Sequence, residues 1–347
     1  MTQATLAETD WEGTVERLGG ADFLEQEGRV TGAFSRPREI KSAVDMLQLV
    51  LAYCLGASGL RLTAAWAEGR GLASLSNVAL LYRLRNSSRW LEQIVSRLLS
   101  QAEPAPLSHP AATERAGHPD GGRLIRLIDA TVVCKAGRNA KANGGVWRIH
   151  AGFDLPFAGQ PERFSAFELT DGREAERIER LAVIAGEIRV ADAVHCKADG
   201  LAQVIAAGAD VVIRASWQSA RWLDENGACL DLVLALVRAQ NGIGGGVIDR
   251  PVQLARKGSA PLALRLVAVK MPKDKATQSV LKARRQAKSN GRQIQPGTLI
   301  AAEWVILVTS LSAADYPADR ILELCCLHRA GSARLRHDGA SRLPSSG

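Results

Sequence analysis

The spacing of apolar positions changes character partway along this 347-residue chain. From Thr14 to about Gln101 apolar residues recur every three or four positions, which predicts helices. The stretch "REIKSAVDMLQLVLAYCLG" stops at a glycine, and "LRLTAAWAEGRG" follows as a second short helix. In "SNVALLYRLRNSSRWLEQIVSRLLSQ", Ser76 and Asn77 supply a cap, and Asn86, Ser87 and Ser88 supply a break. Short helices joined by tight turns fit a helix-turn-helix-like unit with Arg83, Arg85 and Arg89 toward DNA phosphates. They fit equally well a helical bundle with a solvated basic face. Residues 102–122, "AEPAPLSHPAATERAGHPDGG", are rich in Pro, Ala and Gly without any period and predict a linker.

Beyond the linker, short β-branched runs take over. "RLIRLIDATVVCK", "GGVWRIHAGFDLP" and "PERFSAFELTDG" read as three successive antiparallel strands. "REAERIERLAVIAG" reads as a helix, "EIRVADAV" as a strand, "ADGLAQVIAAG" as a helix and "ADVVIRASW" as a strand. Such an order predicts an α/β sheet of mixed direction. Residues 218–298 read as a β-rich insertion, with "CLDLVLALVR" and "APLALRLVAVK" as strands and a basic helix from Lys275 to Arg292. A buried strand, "AAEWVILVTSL", and a helix, "YPADRILELCCLHR", return to the main sheet, which therefore comprises residues 123–217 and 299–329. Residues 330–347 lack an apolar period and predict an irregular tail.

Composition narrows the class. Apolar content of 46% and charged content of 23% are those of an ordinary globular protein. The net charge of +8 favours an anionic partner, nucleic acid first and an anionic membrane surface second. Six cysteines (Cys54, Cys134, Cys196, Cys229, Cys325, Cys326) form no CxxC pair, which predicts a reducing cytoplasm and neither a disulfide framework nor a zinc site. The polar, acidic N-terminus is not a signal peptide. "DMLQLVLAYCLGASGLRL" is broken by Gly56 and Gly59 and is short for a membrane span, so it reads as a core helix and no membrane partner is expected.

The candidate chemistry begins at "RLIDATVV", where Asp129 sits among apolar, β-branched neighbours and must be desolvated. Asp129 could cap the strand end or pair with an arginine such as Arg126. A second aspartate, Asp192, ends the fourth strand in "RVADAVHC". In a ribonuclease H-like sheet the first and fourth strands are neighbours, so the two carboxylates would stand together. Side by side they repel unless a divalent cation lies between them, and Mg²⁺ suits one or two carboxylates plus phosphate oxygens.

The motifs "LIDATVV", "WRIHAGFDLP", "LTDGREAE", "VADAVHC", "GADVVIRASW" and "WVILVTSLSAADYPADRILEL", in this order, resemble the DDE transposases of bacterial insertion sequences, in the insertion-sequence-four family. The likeness runs from about Trp11 to Leu324. It implies an all-helical DNA-binding domain over residues 1–101 and a ribonuclease H-like catalytic domain with a β-strand insertion. It also implies binding of double-stranded DNA at terminal inverted repeats, nicking to free a 3′-hydroxyl and joining to target DNA, by a homodimer assembled on DNA with Mg²⁺ or Mn²⁺. Asp129 and Asp192 match its two catalytic, metal-binding aspartates. After Asp192 the family usually continues Arg-Gly-Tyr, whereas this chain reads Ala193-Val194-His195. His150 and Glu174 fall beside the site, as functional or as structural hydrogen-bonding groups. Trp217 stands where related enzymes stack a flipped base, with Arg214 beside it. Lys282, Arg284, Arg285, Lys288 and Arg292 read as phosphate contacts.

The family's third motif is a Tyr, an Arg, a catalytic Glu and a Lys on a helix after "LEL". Here "LELCCLHRAGSARLRHDGASRLPSSG" follows, with no Glu beyond Glu323. Glu323 and Glu303 are the third-carboxylate candidates, and neither matches the motif. The tail reads as the product of a shifted reading frame. The expectation is a transposase impaired in cleavage, or a catalytically inactive DNA-binding protein that competes at transposon ends.

Overall fold

A computed structural model describes residues 10–35, 38–55, 59–101, 123–133, 147–155, 163–171, 174–242 and 246–339. The predicted linker and the end of the tail, from residue 340, lie outside the described residues. The chain divides into two compact units, Met1–Pro106 with His337–Gly347, and Leu107–Arg336.

Among the described residues up to Gln101, the first unit holds six helices: α1 (Trp11–Arg17), α2 (Gly20–Val30), α3 (Ala43–Leu55), α4 (Leu60–Gly69), α5 (Asn77–Asn86) and α6 (Ser88–Gln101). Ser76 caps α5 by accepting from the Ala79 amide at 3.1 Å, which satisfies one of the amides a helix start leaves open. Ser87 breaks the chain between α5 and α6, as expected, and its hydroxyl donates to the Arg83 carbonyl at 2.8 Å. The core gathers Leu24, Phe34, Met46, Leu47, Leu80 and Trp90. Trp90 is fully buried and its indole N–H donates to the Leu24 carbonyl at 3.1 Å. Gly28 permits this packing, because a Cβ there would lie 3.1 Å from Cβ of Phe34.

The second unit is built on a nine-stranded sheet of order β3-β2-β1-β4-β5-β9-β8-β7-β6. Its strands are β1 (Ile125–Val133), β2 (Trp147–Leu155), β3 (Arg163–Asp171), β4 (Ile188–Ala191), β5 (Asp210–Arg214), β6 (Trp222–Leu223), β7 (Val247–Arg256), β8 (Ser259–Lys270) and β9 (Trp304–Thr309). The first three strands form an antiparallel meander, while β1, β4 and β5 run parallel. The remaining strands are antiparallel.

Alternation along the strands builds two cores. Ile128, Ala191, Val211, Ile213, Leu266 and Val308 pack on one face with Leu201 and Val204 of α7 (Ala198–Ala206) and with Leu232 and Leu236 of α8 (Leu232–Asn241). Leu127, Val190, Val212, Val267 and Leu307 pack on the other, under Ile321, Leu324 and Cys325 of α11 (Ala318–Gly339). Two further helices, α9 (Lys273–Ser289) and α10 (Pro296–Ala301), lie between β8 and β9 in the chain.

Three expectations change. "REAERIERLAVIAG" is not a helix but a run of turns and coil. Its backbone groups are taken by buried side chains instead: Arg189 donates to the carbonyls of Ile178 and Ala182, each at 2.5 Å, and Glu187 accepts from the Ile184 amide at 3.1 Å. "CLDLVLALVR" is not a strand. Asp231 accepts from the Leu234 amide at 3.0 Å and starts α8, a cap that decides an apolar run whose periodicity left the type open. The segment read as a β-rich insertion contributes the β7–β8 hairpin, which extends the main sheet beside β9. The tail predicted as irregular from residue 330 is helical to Gly339.

Candidate metal centre

Asp129 lies next after Ile128 on β1, and Ile128 pairs in parallel register with Ala191, the last residue of β4. Asp192 follows Ala191 directly, so Asp129, midway along β1, stands beside Asp192, just past the carboxyl end of β4. Asp129 accepts from the amide of Ala130 at 2.8 Å. Asp192 caps the 3₁₀ turn Ala193–His195 by accepting from Val194 at 3.0 Å. In each, one oxygen is held by a backbone N–H, and no hydrogen bond to the other is present among the described residues.

Arg126 is not Asp129's partner. Its guanidinium makes a bidentate contact with Asp154 at 2.7 and 3.0 Å and approaches Glu187 at 3.0 Å. Glu187 in turn binds Arg189 at 2.6 Å. All four side chains are buried. Burial works against the Arg126 cation, but the bond to Asp154 and the nearby charges outweigh it and hold its pKa above the usual value. Burial holds Arg189 below the usual value despite Glu187. This network shapes the turns between β3 and β4, and those turns carry Glu176.

Glu176 is the residue that the sequence reading passed over. Its carboxylate, an Asp192 oxygen and a ring nitrogen of His195 all lie within 4.8 Å of one another. Glu176 is largely buried, with Arg148 at 3.5 Å. Burial raises its pKa, Arg148 opposes the rise, and the charges of Asp192 and Asp129 add to it. His195 is 1% exposed, and neither ring nitrogen has a hydrogen-bond partner among the described residues. Burial lowers its pKa to about 4, against the pull of Asp192 and Asp129, so the imidazole is neutral near pH 7. Asp129 thus joins the cluster electrostatically. Turns place Glu176 there, and a signal was present in "DGREAE", but a helical reading of that stretch gave no reason to prefer Glu176 to Glu174.

The other predicted residues are distributed as follows. Glu174 is exposed and pairs with Arg180 at 3.1 Å. His150 is buried beside the Thr170 hydroxyl at 2.9 Å, and burial with the Arg180 charge lowers its pKa, which suits a structural role. Neither third-carboxylate candidate joins the cluster. Glu323 is exposed on α11 and pairs with Arg320, because Ile321, Leu324, Cys325 and His328 form the face buried on the sheet. Glu303 lies 3.5 Å from Lys270. His328 is the group α11 brings to the strand end, at 3.1 Å from the Ile128 carbonyl.

Asp192, Arg214, Trp217, Ser279, Thr298 and Trp304 line a cleft of about 390 Å³. Trp217 is half-buried, and its indole N–H donates to Thr298 at 3.4 Å. Lys282, Arg284, Arg285 and Lys288 are exposed on α9, and Arg292 lies beyond its end rather than within it. No ion pair to any of the five exists among the described residues.

The mixed sheet, with Glu176, Asp192 and His195 gathered beside β1 and β4, defines an α/β protein with a group of side chains that could hold a metal ion. No family model matches the chain. The transposase for insertion sequence element IS421 of Escherichia coli is 34% identical over 320 residues, 90% of this chain and 80% of that protein. The InsL proteins of insertion sequence elements IS186A and IS186B of Escherichia coli strain K12 are 34% identical over 319 residues, with the same coverage. The chain belongs to this family of insertion-sequence transposases. No described helix is long and apolar enough to cross a membrane.

Proposed function

We propose that the chain is a DDE-type transposase of the insertion-sequence-four family. Its ribonuclease H-like sheet would nick double-stranded DNA at terminal inverted repeats and join the freed 3′-hydroxyl to target DNA. The observation that carries this reading is the register of β1 and β4, which brings Asp129 beside Asp192 on adjoining strands, each with one oxygen unbonded among the described residues. The all-oxygen donor set of this aspartate pair fits Mg²⁺ or Mn²⁺. A divalent cation held there supplies activation of the attacking water and charge relief at the leaving 3′-oxygen. The chain's own residues do the rest. The amides of Ala130 and Val194 orient the two carboxylates, Arg214 offsets phosphate charge in the cleft, and Trp217 offers a face to an unstacked base. The helical domain, residues 1–101, is assigned to recognition of DNA ends, and a homodimer assembled on DNA brings two ends together.

A test uses DNA carrying the element's terminal repeat with Mg²⁺. A nick that exposes a 3′-hydroxyl at the repeat terminus is expected, and a scrambled repeat stays intact. Placement of Glu323 and Glu303 outside the cluster favours a second reading, a cleavage-deficient protein that occupies transposon ends. Repeat-specific binding with no nick in Mg²⁺ or Mn²⁺ would establish that alternative.

The exposed cations of α9 make a separate prediction. Replacing Lys282, Arg285 and Lys288 together by alanine should weaken binding to any DNA sequence and lower the slope of log affinity against log salt by about 2.7. An unchanged slope in a salt titration would remove α9 from the DNA interface.

A further inference from the structure

A buried histidine with two unpartnered ring nitrogens needs an explanation, since leaving a buried polar atom unpaired costs about 1–3 kcal/mol. Among the described residues His195 is such a residue, and its Nε2 lies 3.9 Å from a Glu176 oxygen. The 3₁₀ turn is the cause of its direction. With three residues per turn, positions i and i+3 eclipse, so Asp192 and His195 project from the same side of Ala193–His195. Glu176 faces them from the turns that the Arg126–Glu187–Arg189 network holds in place.

We infer that Glu176, Asp192 and His195 form a second metal position, with Asp192 shared with the Asp129 position and an imidazole nitrogen as ligand. Donor atoms around an ion at about 2.1 Å stand roughly 3 to 4.2 Å apart, so a spread of up to 4.8 Å closes with shifts below an ångström. The metal satisfies the ring nitrogen that faces Glu176 and relieves the repulsion among the three carboxylates. Glu176 would then stand as the third carboxylate that α11 does not bring. An O,O,N donor set has a preference. Mg²⁺ favours oxygen ligands and keeps its waters, whereas imidazole suits first-row transition ions, so this position takes a transition ion over Mg²⁺.

The inference deepens the transposase reading but is tested without DNA. Mn²⁺ is added to the full chain, and pulsed electron paramagnetic resonance is used to detect ¹⁴N coupling from an imidazole ligand. Coupling is expected in the unaltered chain, retained in His328→Ala and His150→Ala, and lost in His195→Ala. Glu176→Gln, a conservative change at a less buried site, covers the case in which His195→Ala does not fold. It should weaken the nitrogen-coupled Mn²⁺ at least about tenfold, the loss that even an outer partner of a metal site produces. Bound Mn²⁺ without ¹⁴N coupling in the unaltered chain, or coupling unchanged in both variants, overturns the second position. The two readings fail separately: nicking without nitrogen coupling removes this position alone, and nitrogen coupling without nicking counts against the transposase reaction alone.

Discussion

Asp129→Asn is expected to reduce nicking of repeat-ended DNA by about 10³-fold or more while leaving the protein folded. The substitution keeps the side chain's size and its bond to the Ala130 amide, and removes only the charge. A metal in a phosphoryl-transfer site stabilises several kcal/mol of developing charge, and about 4 kcal/mol corresponds to 10³ in rate. Stability should move the other way. In the metal-free protein Asp129 adds to the charge that raises the Glu176 pKa, so neutralising it relieves repulsion and leaves the melting temperature equal or higher. The pair of measurements is a single-turnover nicking assay and a thermal melt without metal. Full nicking by the variant would dismiss Asp129 as a metal ligand, and a large drop in melting temperature would recast it as structural.

The second large effect belongs to the buried network. Glu187→Ala leaves Arg126 and Arg189 with only Asp154 to balance two cations, at sites almost fully closed to water. Removing one partner of a buried ion pair typically costs about 3–5 kcal/mol. For a unit of this size that lowers the melting temperature by on the order of 10 °C. The same variant frees the turns that hold Glu176, because the Ile184 amide loses its acceptor. Weaker Mn²⁺ binding should therefore accompany the loss of stability, even though Glu187 is not in the metal cluster. An unfolding free energy from urea titration within about 1 kcal/mol of the parent would show that the network contributes little to folding.

Much of this architecture is legible in the sequence because its signals are local. The meander of three strands, the helix after Asp192, the break at Ser87 and the basic helix α9 each follow from a period, a cap or a turn residue within a dozen positions. Asp129 and Asp192 stand out for a similar reason, since a carboxylate in an apolar strand is conspicuous by its desolvation cost. The two elements assigned to the wrong type fail where local preference is weak. "REAERIERLAVIAG" has helix-forming composition, but buried arginines take its carbonyls, and those arginines come from strands on either side. "CLDLVLALVR" is a short apolar run that suits either state until Asp231 is seen to cap it.

The amino-acid order alone determined which residue types were available: the strand aspartates, the basic helix, the helical first unit, and the lack of a glutamate after Glu323. The tertiary structure decided which of them meet. It paired Arg126 with Asp154 instead of Asp129, turned Glu323 and Glu174 toward arginines, and brought Glu176 to His195 and Asp192. The physical reason is that a side chain's direction at a strand end or in an irregular segment is set by long-range packing and buried charge. Neither leaves a period in the sequence.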